Sequence, residues 1–392
     1  MRMPAACLTI LMAIALSPAP AAAQSPVIRA DGPAAWGAGV RLVPVGTLGT
    51  IDGPPEYALG SVRRLVGSPK GDFYIFDGQA IQIRHYGADG KFIGNVGRKG
   101  SGPGEYQQLL GLSLLGDTLL VAWDPGNRRI TYFGADGKLR RSVTAQVSGT
   151  VFGPDVFEVD LSGRVTVQYG LTKDTIPYVR LRPDGTPLDT LRGSTAGDQG
   201  FVLGMPEGSR YNFMTRALAK PSPLGGLLKG SNSVLGFTAM SGGKEVTVVR
   251  QSRPIDLGKE ERAEWEKVAE TFNARPDVKP GERFTIPRTK PAIRDLFADR
   301  DGRVWLDAYA PAEQRPTTAT GKARPKITWF ERATFEVFAV TGEYLGRVVF
   351  PPKHELIAVR GDRVWTYTSG PDDEIQIGIF KMVRASGAPL GN

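Results

Sequence analysis

Short runs of apolar residues, four to six long and often alternating with polar ones, recur along almost the whole chain and are separated by Gly, Asp and Pro. A period-two pattern broken by turn residues predicts β strands joined by tight turns. The clearest set occupies residues 61–66, 73–76, 81–86 and 92–96, with turns at Lys70-Gly71 and Asp89-Gly90. Its second half returns: the segment 77–92 aligns without a gap on 124–139, a shift of 47 residues. A strand-built repeat of about 40–50 residues marks one blade of a β-propeller, a four-stranded antiparallel sheet.

Further copies keep the punctuation while the residues diverge. The second spans 109–147, and the third places strands at 156–161, 165–169, 178–181 and 188–191. The fourth is read at 211–219, 225–229, 234–239 and 245–250, and the fifth at 293–298, 304–306, 335–340 and 344–350. The sixth offers only three strands, 355–359, 363–367 and 374–382, while 39–48 is a strand without a blade. A ring of sheets leaves an open seam unless one terminus completes the other's sheet. Residues 40–45 are therefore expected to close blade six. One segment breaks the rhythm: in 256–273 the apolar Trp265, Val268, Ala269 and Phe272 recur at helical spacing behind an acidic start, which predicts a helix. It is expected to cover apolar surface, with a lid as the other reading. The fold class is thus all-β, a six-bladed β-propeller with N-terminal strand closure and a helical insert, about 256–291, between blades four and five.

The N-terminus changes the picture of where such a ring would work. Arg2, an apolar run over 8–16 and Ala21-Ala22-Ala23 have the layout of an export signal, so 1–23 are set apart from the fold. The propeller is expected over 24–384, with a flexible tail at 385–392 and a periplasmic or extracellular destination. Cys7, the only cysteine, falls within that signal, which excludes disulfides and cysteine metal sites from the remainder. No later run has the roughly 18 apolar residues of a membrane span. The full chain has 49 Lys and Arg against 40 Asp and Glu, and only Arg2 lies in the signal, leaving an excess of eight. Spread over about 370 residues this is a weak field, and with export it argues against nucleic acid as a partner. A monomer is expected.

Candidate chemistry is sparse. The run 97–106, rich in glycine, lacks the Gly-Lys-Ser/Thr ending and the following helix that let a loop cradle phosphate, so its glycines are read as supplying positive φ between blades. Asp77 and Asp124 precede turns, where an Asp side chain caps backbone amides. With two histidines in the chain, His85 and His354, neither a histidine-rich zinc site nor a Ser/His/Asp triad can be singled out. Asparagines for a calcium site are few and not repeated on inner strands. No cofactor and no metal are expected.

Asp124-x-x-Asn127-x-Arg129-Ile130-x-x-Phe133, together with Gly97-x-x-Gly100-x-Gly102-x-Gly104-Glu105-Tyr106, resembles the NHL-repeat pattern. With the signal and the insert, the chain is similar to exported bacterial six-bladed propellers. Blade one departs from the pattern, with Ala80 and Gln82 where the second copy has Asn127 and Arg129. With no catalytic or metal-binding set singled out, a binding scaffold is expected more than an enzyme, with a protein, peptide or glycan as ligand on the face formed by the 2–3 loops and the inter-blade crossings. A metal-dependent, lactonase-like hydrolase or lyase centred on the channel is the alternative. The ligand-binding candidates are the arginines expected at the channel mouth and on that face, Arg63, Arg64, Arg98, Arg128 and Arg294, with Asp295, since guanidinium pairs well with carboxylate and phosphate.

Overall fold

The structure, a computed structural model, describes residues 26–390 apart from 148–156, 171–174, 195–212, 277, 279, 281–282, 284 and 317–326. Six antiparallel sheets carry the chain in order. From inner to outer strand, blade 1 is Val62–Gly67, Phe73–Asp77, Gln82–Tyr86 and Phe92–Val96. Blade 2 is Gly111–Leu115, Leu119–Asp124, Arg129–Gly134 and Leu139–Thr144, and blade 3 is Phe157–Val159, Val165–Gln168, Thr175–Leu181 and Pro187–Ser194. Blade 4 is Ala217–Pro221, Leu227–Ser231, Gly236–Ser241 and Lys244–Val249, and blade 5 is Ile293–Ala298, Arg303–Ala308, Thr334–Ala339 and Tyr344–Val349. Blade 6 has Glu355–Arg360, Arg363–Ser369 and Ile375–Arg384, and its outermost strand is Val40–Leu48, which runs antiparallel to Ile375–Arg384 from the pair Val40/Arg384 to Leu48/Ile377.

The repeated residues explain how each sheet is joined to the next. Asp77 is 1% exposed; its carboxylate accepts from the amides of Gly60, Ser61, Gln79 and Ala80 at 3.0–3.2 Å. Asp124 does the same for Gln107, Gln108 and Asn127 at 2.7–3.3 Å. Each aspartate thus ties the crossing that enters its blade to the turn between strands two and three. In that turn Ile81 and Arg128, again 47 residues apart, both have φ of 50°, a left-handed conformation that a β-branched residue adopts only when its surroundings impose it. In the glycine-rich crossing, Tyr106 Oη accepts from Ile83 N and donates to Val96 O, both at 2.9 Å, and Arg129 Nη1 donates to Gly102 O at 2.7 Å. The Gly97 to Tyr106 run is thus a clasp between blades 1 and 2.

A second repeated device holds the opposite edge. Asp160-x-x-Gly163-Arg164 and Asp299-x-x-Gly302-Arg303 lie between strands one and two of blades 3 and 5. In both, the aspartate accepts the arginine's backbone N–H and Nε–H, and the glycine has φ of 83°. Trp305 Nε1 also donates to Asp299, at 2.8 Å. Buried apolar clusters fill the spaces between sheets. Tyr74, Phe76, Leu112 and Phe133 join blades 1 and 2; Trp123, Tyr132, Val159 and Leu181 join blades 2 and 3. Phe237, Leu296 and Phe338 join blades 4 and 5, and Trp365 packs into blade 1 against Phe73.

Three elements lie outside the repeat. Residues 26–48 form a belt over the outer edges of blades 4, 5 and 6. Val27–Arg29 adds a parallel fifth strand to blade 4, Ala35 and Trp36 bond to Tyr344 and Leu345 of blade 5, and Val40–Leu48 follows on blade 6. Trp36, 6% exposed, packs where Gly346 has no side chain. The helix α1, Lys259–Asn273, leaves from blade 4 and buries Trp265, Val268 and Ala269 against Phe213, Tyr309 and Ile327. It forms a cap with the long 2–3 connection of blade 5, whose Thr328 is held by the Glu264 carboxylate. Past Arg384 the chain turns at Gly387, bridges Pro389 to Val383 and buries Leu390. The tail expected over 385–392 is therefore anchored as far as Leu390, because Leu390 fills part of the apolar space between blades 5 and 6.

Candidate functional site

The inner strands surround a channel, and the side chains in it fall into two groups. At the end where inner strands turn into second strands, a cavity of about 140 Å³ is lined by residues from all six blades, among them Ser113, Glu158, Pro223, Arg300, Arg360 and Gly67. Two arginines cross the channel here. Arg300, on the hairpin of blade 5, donates from Nη1 to Val159 O at 2.6 Å and to Glu158 Oε1 and Ser113 Oγ at 3.4 Å, reaching blades 3 and 2. Arg360, at the end of the inner strand of blade 6, donates from Nη2 to Asp117 of blade 2 at 2.6 Å and lies 3.0 Å from Asp301 of blade 5. Burial lowers the pKa of Arg300, and the Arg360 charge adds to that, while Glu158 and Asp117 oppose it. These two residues tie four blades across the axis.

The loop-rich end carries the residues singled out from the sequence, and it distributes them over separate contacts. Arg63 is exposed and lies over Gly78. Arg64 donates to Leu110 O, on the crossing into blade 2, and to Arg63 O, both at 3.0 Å. Arg98 is exposed and pairs with Glu105 at 2.7 Å, and Arg128 is exposed at the tip of its turn. Asp295 faces Lys220 of blade 4 at 2.6 Å. Arg294 does not stand at the channel mouth: it is 7% exposed and its guanidinium binds Asp307 at 3.0 Å and Glu331 at 2.7 Å. The reason is the cap, which brings Glu331 down over the inner strand. Lys290 joins Glu331 to Glu261 of α1, at 2.7 Å each, with its own side chain fully buried. Burial raises the pKa of Glu261 against the pull of Lys290. The sequence expectation of converging arginines is thus replaced, for Arg294, by an ion cluster that seats the cap. Lys173 and Asp174, whose place in the sequence between the second and third strands of blade 3 would add them to the loop residues, lie outside the described residues.

The histidines serve blades. His85 Nε2 bonds to Asp72 at 2.8 Å and stacks on Tyr74; His354 Nδ1 bonds to Thr366 Oγ1 at 2.8 Å against the edge of Phe380. Among the described residues no group of three or more His, Cys, Asp and Glu is placed to hold a metal ion, and no helix is long and apolar enough to cross a membrane. Arg300 and Arg360 carried no motif of their own in the sequence. The only trace was the Asp-x-x-Gly-Arg hairpin around Arg300.

No protein-family model and no curated protein sequence matches the chain. Among solved structures it is similar to a member of the DUF4221 family from Bacteroides vulgatus, 11% identical, with 88% of this chain and 99% of that one covered at a TM-score of 0.48. It is also similar to virginiamycin B lyase from Staphylococcus aureus, 12% identical over 87% of this chain and 99% of that one, TM-score 0.37. A third is the PQQ-bound aldose sugar dehydrogenase from Streptomyces coelicolor, 13% identical over 90% of this chain and all of that one (100%), TM-score 0.43. At this identity and TM-score the likenesses decide neither ligand nor reaction.

Proposed function

We propose that the protein is an exported, NHL-like binding scaffold, monomeric and without catalytic chemistry of its own, which holds a protein, peptide or glycan on its loop-rich face. The observation that supports this most is the cap. The repeat alone needs only short connections, yet the crossing from blade 4 to blade 5 and the 2–3 connection of blade 5 are extended into α1 and two short ribbons, Ile255–Asp256 with Thr289–Lys290 and Glu313–Gln314 with Trp329–Phe330. They share a small core of their own. Conserving a rigid frame while elaborating the connections at one end is how scaffolds acquire specific binding surfaces.

Two measurements test this reading. Expression of the full chain in a bacterial host, followed by mass spectrometry of the exported fraction, is expected to give a mature chain beginning at Gln24. The purified mature chain is then presented to peptide and glycan arrays and assayed for bound metal. Binding that is lost when exposed cap residues such as Arg288 and Lys259 are reversed in charge supports the scaffold. Stoichiometric Ca²⁺ or Zn²⁺ with chelator-sensitive lactone or ester cleavage replaces it with an enzyme.

A further inference from the structure

The channel cavity has hydrogen-bond donors without acceptors. Arg360 is 9% exposed, and its Nε is buried with no hydrogen-bond partner. Its Nη1 faces Asp301 at 3.0 Å as an ion pair but outside hydrogen-bond geometry. Arg300 uses only Nη1, for Val159 O, Ser113 and Glu158; among the described residues its Nε and Nη2 bond to nothing. Those two nitrogens form the edge of a guanidinium that grips an oxyanion with two parallel bonds, as the Nε and Nη2 of Arg180 grip Asp189 in this same protein. Of the donors without any partner Arg360 Nε is the fully buried one, and a buried cationic donor left without an acceptor is costly; the Arg300 edge is open to the cavity, where water reaches it.

We propose that the cavity between Arg300 and Arg360 is a binding site for a small oxyanion. Two oxygens of the anion lie on the Nε/Nη2 edge of Arg300 and one on Nε of Arg360. The space of about 140 Å³ is well above the roughly 10–15 Å³ that a single water needs, which leaves room for a sulfate, a phosphate or a short carboxylate. The anion also lessens the repulsion between the two guanidiniums that the desolvated Arg300 experiences. Three carboxylates oppose an incoming anion: Glu158, 3.4 Å from Arg300 Nη1, and Asp117 and Asp301, 2.6 and 3.0 Å from the Arg360 guanidinium. This site is at the opposite end of the channel from the loop-rich face, so it stands or falls independently of the scaffold function.

Calorimetric titration of the mature chain with sodium sulfate, sodium phosphate and sodium acetate, at ionic strength held constant with chloride, tests the site. One saturable site is expected, and the ranking of the three salts distinguishes a tetrahedral oxyanion from a carboxylate. Glu158→Gln is expected to tighten binding about three- to tenfold by removing one competing charge. Arg300→Lys, which keeps a cation and removes the bidentate edge, is expected to weaken it about tenfold or more. Tightening in the Glu158 variant is not a result that loss of folding can mimic. Crystals soaked in selenate are expected to show an anomalous peak between the two guanidiniums. Absence of saturable heat, equal affinities in wild type and both variants, or a selenate peak only elsewhere each overturns the proposal.

Discussion

Replacing Asp124 by Ala separates turn chemistry from ligand chemistry, because among the described residues its carboxylate is engaged by the amides of Gln107, Gln108 and Asn127 and by the Asn127 side chain. A hydrogen bond to a charged group contributes about 1.5–3 kcal/mol. Gln107 and Gln108 are exposed residues whose amides water can reach after the change, so the lower end of that range applies and the four bonds sum to about 6 kcal/mol. Against a total stability of about 5–15 kcal/mol this is severe. Asp124→Asn keeps one acceptor oxygen and should cost about half as much. Asp77→Ala, which orphans four amides, should cost at least as much as Asp124→Ala. Urea unfolding followed by far-UV circular dichroism measures all three. If Asp124→Ala lies within about 1 kcal/mol of wild type, the capping argument is wrong. If it abolishes ligand binding at unchanged stability, the aspartates belong to a site after all.

Further outcomes follow from the belt, a histidine and the cap. Trp36→Ala removes a buried indole packed on Gly346 and should lower stability by about 3–5 kcal/mol, whereas Val43→Thr on the exposed face of the closing strand (Val43 is 38% exposed) should cost under about 0.5 kcal/mol; equal effects in urea titrations refute the belt's role. Burial lowers the pKa of His354 below its ordinary 6.5, so the unfolded chain gains this proton before the folded one, and stability must fall as pH drops from about 7 toward 5. The wild type should lose more stability over that interval than His354→Gln, and parallel pH profiles would contradict this. Trp265→Ala should speed proteolytic cleavage within 256–291 without changing the strand signal in circular dichroism; unchanged cleavage would mean that the cap does not rest on its own core.

What the sequence made legible was whatever is encoded locally. The strands of blades 1 and 2 and the turn-capping part of Asp77 and Asp124 were readable because those contacts span a few positions, whereas the bonds of both aspartates to the crossings 16 or 17 residues back were not. The helix was readable because Trp265, Val268 and Ala269 share one face. The fourth blade was read up to a few residues early at its inner strand, 211–219 against Ala217–Pro221, since its residues alternate weakly. Val27–Arg29 was missed altogether: three residues pairing in parallel with a strand more than two hundred positions away carry no period. Arg294 misled for a similar reason. Its neighbours in sequence resemble a channel strand, while Glu331, which determines its place, arrives from 37 residues downstream. Arg300 and Arg360 were illegible because their partners lie on the far sides of the channel.

The belt sets a timetable for the making of this protein. Residues 26–48 are the first part of the propeller to emerge during synthesis and among the last able to find their partners, since Lys244–Val249, Tyr344–Val349 and Ile375–Arg384 must exist before the three contacts form. Contacts of such sequence separation carry loop-closure entropy that slows folding. Until the C-terminal strand arrives, the apolar positions of Val40–Leu48 have nothing to pair with, and a chain released early leaves that strand open to pair with another molecule. The ring therefore closes only once Ile375–Arg384 has been made, so a chain cut short anywhere before that strand keeps an open seam however well its other blades are formed.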